Sequence, residues 1–82
     1  MATKQKKTYE SLLVPVKSSN ISAIGYDELI NNLYIKFKKT GKVYCYNSVP
    51  PALHEQLMKA ESKGKFLNAN IVAAKFSYEV IE

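Results

Sequence analysis

The stretch Leu33-Tyr34-Ile35-Lys36-Phe37, followed by Lys38-Lys39-Thr40-Gly41-Lys42 and then Val43-Tyr44-Cys45-Tyr46, constrains the fold more than any other part of the chain. Side chains alternate across a strand, so Leu33, Ile35 and Phe37 form an apolar row opposite Tyr34, Lys36 and Lys38. Gly41 enters positive φ without steric cost, which makes Lys39 to Lys42 a turn and returns Val43 to Asn47 as an antiparallel partner. The apolar row then needs a layer packed on it, and the chain must be organised around a sheet.

Turn length decides what Tyr44 and Tyr46 do. An even loop tipped by Thr40-Gly41 pairs Tyr44 with Phe37 and Tyr46 with Ile35, and both rings join the core. A three-residue loop, Lys39 to Gly41, pairs Tyr44 with Lys36 and leaves both rings on the lysine face as a stacking platform.

The remaining segments fit around this hairpin. Pro15 lacks a backbone donor, so a strand near Val14 is an edge or begins after it. Val16, Ile21 and Ile24 anchor a first strand with room for a bulge, and Gly25 permits a bend. Asp27 to Asn32 is a polar connection. Pro50-Pro51 starts a helix, since proline at the first helical position forfeits no hydrogen bond. Leu53, Leu57 and Ala60 form its apolar stripe, with Val49 near its start, and Gly64 reads as a C-cap that ends it near Lys63. Phe66 and Ile71 cover the helix end, and Phe76, Tyr78 and Val80 alternate in a last strand from Ala74. The expectation is an α+β fold: a small antiparallel sheet of three to four strands with one main helix on one face. Residues 1–12 read as a flexible lysine-rich tail and 13–82 as a single domain. The expected core is Val16, Ile21, Ile24, Leu33, Ile35, Phe37, Leu53, Leu57, Ala60, Phe66 and Ile71.

Composition narrows the function classes. The net charge is +5, with three lysines against one glutamate in residues 1–10 and nine lysines against six acids in the rest. There is no arginine, the usual residue for bidentate phosphate recognition, and a long polyanion demands a denser basic stripe. A short or small phosphate-bearing ligand fits this charge better than duplex DNA. No apolar run approaches a membrane span and no signal sequence is evident, which points to a cytoplasmic protein. One cysteine, Cys45, and one histidine, His54, supply neither a disulfide nor a metal site. Cys45 lies mid-strand, where a buried inert thiol is expected, and His54 falls in the first helical turn as an exposed polar residue. No pair of carboxylates is placed for acid–base work. The reading is non-enzymatic, without cofactor or metal.

The binding reading rests on Ser62, Lys63 and Lys65 around Gly64, with Asn68 nearby: a glycine nest, two cations and directed hydrogen-bonding groups. The polar run containing Ser18, Ser19 and Asn20 is the expected second wall, and Tyr26 and Tyr34 are candidate stacking rings. The ligand is expected to be a nucleotide, small and cyclic or otherwise, or a short single-stranded RNA. The alternative is a protein-interaction module acting through an exposed edge near Val14 or Phe76 to Val80, an edge that also suits a homo-oligomer.

Four stretches carry a family resemblance: VKSSNISAIGYD (16–27), LYIKF (33–37), YCYNSVP (44–50) and AESKGKFLNANI (60–71). In this order they resemble the KTSC domain, a small family of stand-alone bacterial and phage proteins that is also fused to the C-terminus of some lysyl-tRNA synthetases. The family has no established activity; its fusion to a synthetase implies contact with RNA or a nucleotide. Its pattern specifies the two tyrosines and leaves the residue between them free, which favours rings that pack inward. The chain departs from the pattern at Phe66-Leu67, where an aromatic, often tyrosine, is favoured, and at Val72, where a basic residue is favoured.

Overall fold

A computed structural model describes residues 8–81. Strands β1 (Val14–Pro15), β2 (Ile21–Asp27), β3 (Asn32–Phe37), β4 (Val43–Tyr46) and β5 (Tyr78–Val80) form one sheet in chain order. Every neighbouring pair is antiparallel. Helix α1 (Pro51–Lys59) and helix α2 (Lys63–Leu67) follow β4, and α2 runs on into a π-helical turn over Asn68–Val72. The architecture is α+β as expected, with five strands and two helices in place of three to four strands and one.

The β3–β4 turn has the even parity that places Tyr44 and Tyr46 in the apolar row. The Phe37 N–H donates to the Lys42 carbonyl at 3.0 Å and the Gly41 N–H to the Phe37 carbonyl at 2.9 Å, with Gly41 at φ +73°. The loop is therefore Lys38 to Gly41, longer than a Thr40-Gly41 tip. The register moves by two residues, setting Tyr44 opposite Ile35 and Tyr46 opposite Leu33. A two-residue shift conserves the face, so the rings stay with the core row.

A bulge corrects the phase of β2. Ile21 pairs with Phe37 and Ala23 with Lys36, so β2 carries one extra residue there. Ile21 and Ile24, three apart and destined for opposite faces of a regular strand, are both buried in the main core. That core lies between the sheet and the helices and includes Leu33, Ile35, Val49, Leu57, Leu67 and Ile71. Val16, Phe37, Leu53 and Phe66, expected within the core, pack around it only partly buried, and Ala60 lies outside it.

The second helix overturns the expected cap. Helix α1 ends at Lys59, where Ala60 turns extended at φ −68° and ψ 140°. Ser62 then accepts the Lys65 N–H and starts α2, so Gly64 sits buried inside a helix. Its lack of a side chain serves a close approach: a Cβ there would lie 2.5 Å from Asn20 Oδ1. The last strand is shorter than the alternation implied, since Lys75 turns to φ +63° and pairing begins only at Tyr78.

The opposite face of the sheet is also covered. Residues 8–12, placed in the tail by composition, form a 3-10 helix, and Tyr9 is buried with its ring stacked on Tyr34 at 5.4 Å. Tyr34, Val43 and Cys45 complete this smaller core, which removes Tyr34 from the surface stacking role expected of it. Gly25 contributes the close approach and not a bend: a Cβ there would meet the Leu12 backbone at 3.0 Å. The remainder of the expected tail lies outside the described residues.

Candidate functional site

The helices leave one end of the apolar face uncovered, and an open cleft of about 850 Å³ lies there. Its floor is aromatic. Phe37 from β3 meets the Tyr44 ring edge-on at 5.2 Å, and Tyr44 stacks on Tyr78 from β5 at 5.6 Å with the planes 16° apart. Tyr46 contacts both tyrosines, at 6.3 Å from Tyr44 and 5.5 Å from Tyr78. Exposure rises across the group: Tyr46 is buried, Tyr44 is half-buried and Tyr78 is 57% exposed. The period-2 tyrosines thus belong to the core face and also surface at its uncovered end. Burial raises the Tyr46 phenol above its usual range, with the Tyr44 and Tyr78 phenols adding to the shift, so it stays a neutral hydrogen-bond donor.

Two polar walls flank this floor. One is the β3–β4 turn with Lys39, Thr40 and Lys42, braced by the Lys42 N–H on Thr40 Oγ1 at 3.2 Å and by the Lys38 N–H on the Asn20 carbonyl at 3.0 Å. The other is the approach to β5 with Lys75 and Ser77, where the Lys75 N–H reaches the Val72 carbonyl at 3.0 Å and the Asn47 N–H reaches the Ser77 carbonyl at 2.8 Å. Among the described residues no acidic one lines the cleft. Rings on the floor and lysines on the walls make a place for a flat, negatively charged molecule.

The residues expected from sequence are distributed otherwise. Ser18 accepts the backbone N–H groups of Asn20 at 3.3 Å and Ile21 at 3.2 Å and donates to Asn20 Oδ1 at 3.1 Å, so this loop satisfies itself. The structure does bring the two expected walls together, since the Asn20 side chain packs on Gly64. Their polar groups are used internally, however. Ser62 caps α2, and Lys63 Nζ donates to the Ala60 carbonyl at 3.1 Å at the end of α1. Ser19, Lys65 and Asn68 are exposed away from the cleft lining, and the Asn68 N–H bonds the Gly64 and Lys65 carbonyls. Of the nine expected residues, Tyr34 included, only Asn20 lines the aromatic cleft. Phe37, Lys39, Lys42, Lys75 and Tyr78 were missed. Their signal was the tyrosine pair beside a lysine-bearing glycine turn; the pairing of β5 with β4, which completes it, is long-range.

Tyr26 borders a separate, smaller cleft of about 400 Å³. Its ring stacks on His54 at 4.6 Å with the planes 8° apart, and its hydroxyl donates to the Val49 carbonyl. Glu28 and Glu55 line this second cleft, giving it the opposite charge. His54 is half-buried, contrary to the exposed position expected; burial lowers its pKa, with Glu55 and Glu28 partly offsetting the shift. Cys45 is buried, and burial raises its thiol pKa. Among the described residues no three histidine, cysteine or acidic side chains gather in a metal-binding group, and no helix is long and apolar enough to cross a membrane.

Comparison with known proteins bears on the family and the fold. A protein of Tsukamurella paurometabola is 44% identical over 62 residues, covering 76% of this chain and 90% of its own. A lysine–tRNA ligase of Nostoc punctiforme is 36% identical over 67 residues, 82% of this chain but 12% of the ligase. The crystal structure of a KTSC domain protein from Yersinia pestis superposes with a TM-score of 0.77 at 38% identity, covering 85% of this chain and 96% of that one. The KTSC domain family matches residues 17–76, and the chain belongs to that family.

Proposed function

We propose that this domain is a non-enzymatic binding module for a phosphate-bearing nucleotide, either a small nucleotide that it sequesters or a nucleotide within a short single-stranded RNA. The observation that carries this reading is the stacked Tyr44–Tyr78 pair exposed between Lys39 and Lys42 on one wall and Lys75 on the other. A base stacks on a tyrosine face for about 1 to 3 kcal/mol. Lysines supply point charges for phosphate without base reading. The likeness to a segment of a lysine–tRNA ligase supports an RNA or nucleotide setting, and a cytoplasmic one. The buried thiol and the Tyr26-stacked histidine lie away from the cleft, which supports binding without turnover.

Isothermal titration with a cyclic dinucleotide and with RNA of increasing length tests the reading, with chromatography of the ligand afterwards. Saturable heat with the ligand recovered intact is the expected result; no heat from either class overturns it.

A second reading, a protein-interaction module, draws on β5, whose three residues are all exposed at the sheet edge. Light scattering over a concentration series reports a homo-oligomer, and capture of a partner that survives nuclease favours this reading over the first.

A further inference from the structure

The arrangement of charge around the aromatic floor specifies more than a nucleotide. Lys42 precedes β4, and the Lys75–Ser77 wall stands at the other end of that strand, where the Asn47 N–H bonds the Ser77 carbonyl. Lys42 and Asn47 stand five residue steps apart along the strand, about 16 Å at 3.2 to 3.4 Å per residue. Lys39 and Lys42 therefore approach the rings from one end and Lys75 from the other. Both walls are fixed in place. The turn is tied to Asn20 through Lys38, and Lys75 occupies the left-handed region at φ +63°, a conformation a lysine adopts only where its surroundings hold it.

A nucleoside monophosphate carries charge on one side of its base and would leave one lysine wall without a partner. A nucleotide inside a strand carries a phosphate on both its 5′ and 3′ sides, with the base between them. We infer that the cleft selects a nucleoside flanked by two phosphates, as in an internal nucleotide of a single strand or of a cyclic dinucleotide, with its base on Tyr44 and Tyr78 and one phosphate toward each wall. This rests on the nucleotide-binding reading and sharpens its ligand class.

The test is titration of the full chain with adenosine 5′-monophosphate, adenosine 3′-monophosphate, adenosine 3′,5′-bisphosphate, a cyclic dinucleotide and a triadenylate. The bisphosphate is expected to bind at least 10-fold more tightly than either monophosphate. Lys75→Gln, and separately Lys39→Gln with Lys42→Gln, are each expected to bring the bisphosphate down to monophosphate affinity. All three lysines are exposed, and an unchanged melting temperature confirms that the variants fold. Triadenylate tighter than the cyclic dinucleotide assigns the site to strands, and the reverse assigns it to the cyclic ligand. A monophosphate that binds as tightly as the bisphosphate overturns this inference while leaving the nucleotide reading standing. Absence of binding by every probe overturns both.

Discussion

Tyr44 and Tyr78 lie ring on ring, 5.6 Å apart between centroids and 16° between planes, and this contact joins β5 to a sheet with which it shares only three residue pairs. All of β5 is exposed, and besides this pair it is held by the Tyr46–Tyr78 ring contact at 5.5 Å and by backbone bonds at its two ends. Such ring pairs contribute about 0.5 to 1.5 kcal/mol beyond area burial. Tyr44→Ala is expected to release β5 first. In hydrogen exchange the Ile81 amide, bonded to the Val43 carbonyl at 2.8 Å, should lose protection while the Ile35 and Leu33 amides keep theirs.

Two glycines are fixed by what they touch. Gly25→Ala would place a Cβ 3.0 Å from the Leu12 backbone, which cannot rotate away, so a loss of about 1 to 3 kcal/mol is expected in chemical denaturation. Gly64→Ala meets the side chain of Asn20, which can swing aside. Its expected signature is a shift of the Asn20 and Lys38 amide resonances with a smaller stability change.

The hairpin, the buried row of β3 and the start of α1 at Pro51 were legible because each depends on local rules: alternation, a glycine turn, a proline at the first helical position. Other features depended on distant partners. Nothing near Gly25 announces that the Leu12 backbone lies against it, and nothing near Gly64 distinguishes a cap from a seat for Asn20. Tyr9 reads as part of a polar tail until Tyr34 is placed beneath it. The site divided in the same way. Tyr44 and Tyr46 stood out at once, but inward packing and a stacking role looked like alternatives. Inward packing and an exposed ring face coexist because the helices stop short of that end of the sheet.

Acid should weaken the fold through His54. Burial against Tyr26 holds its folded pKa below the unfolded value of about 6.5, so the unfolded chain binds the proton more readily as pH falls. Stability contributed by the neutral ring is present above that value and is lost as pH drops through the folded pKa. His54→Phe keeps a ring on Tyr26 and removes the titration. Melting temperatures between pH 7.5 and 5 should fall less steeply for this variant than for the parent chain.

Cys45 should be inert while the chain is folded. Its thiol is buried, and burial raises its pKa, so little thiolate is available near neutrality. Labelling by a thiol-specific disulfide reagent at pH 8 should be slow in the native protein and fast in denaturant; rapid native labelling would show that the Tyr9 cover opens readily.

The most direct test of the cleft is titration of Tyr78→Ala and Tyr78→Phe with the tightest ligand found for the parent chain. Tyr78 is exposed, and the phenylalanine variant retains both the ring face and the contact with Tyr44 that holds β5. Unchanged Ile81 amide protection in Tyr78→Ala separates lost stacking from a released strand. Loss of a stacking surface worth about 1 to 3 kcal/mol corresponds to roughly a 5- to 150-fold weaker affinity for Tyr78→Ala, with Tyr78→Phe near the parent value. Equal affinity for the alanine variant and the parent would contradict the assignment of the aromatic floor as the binding surface.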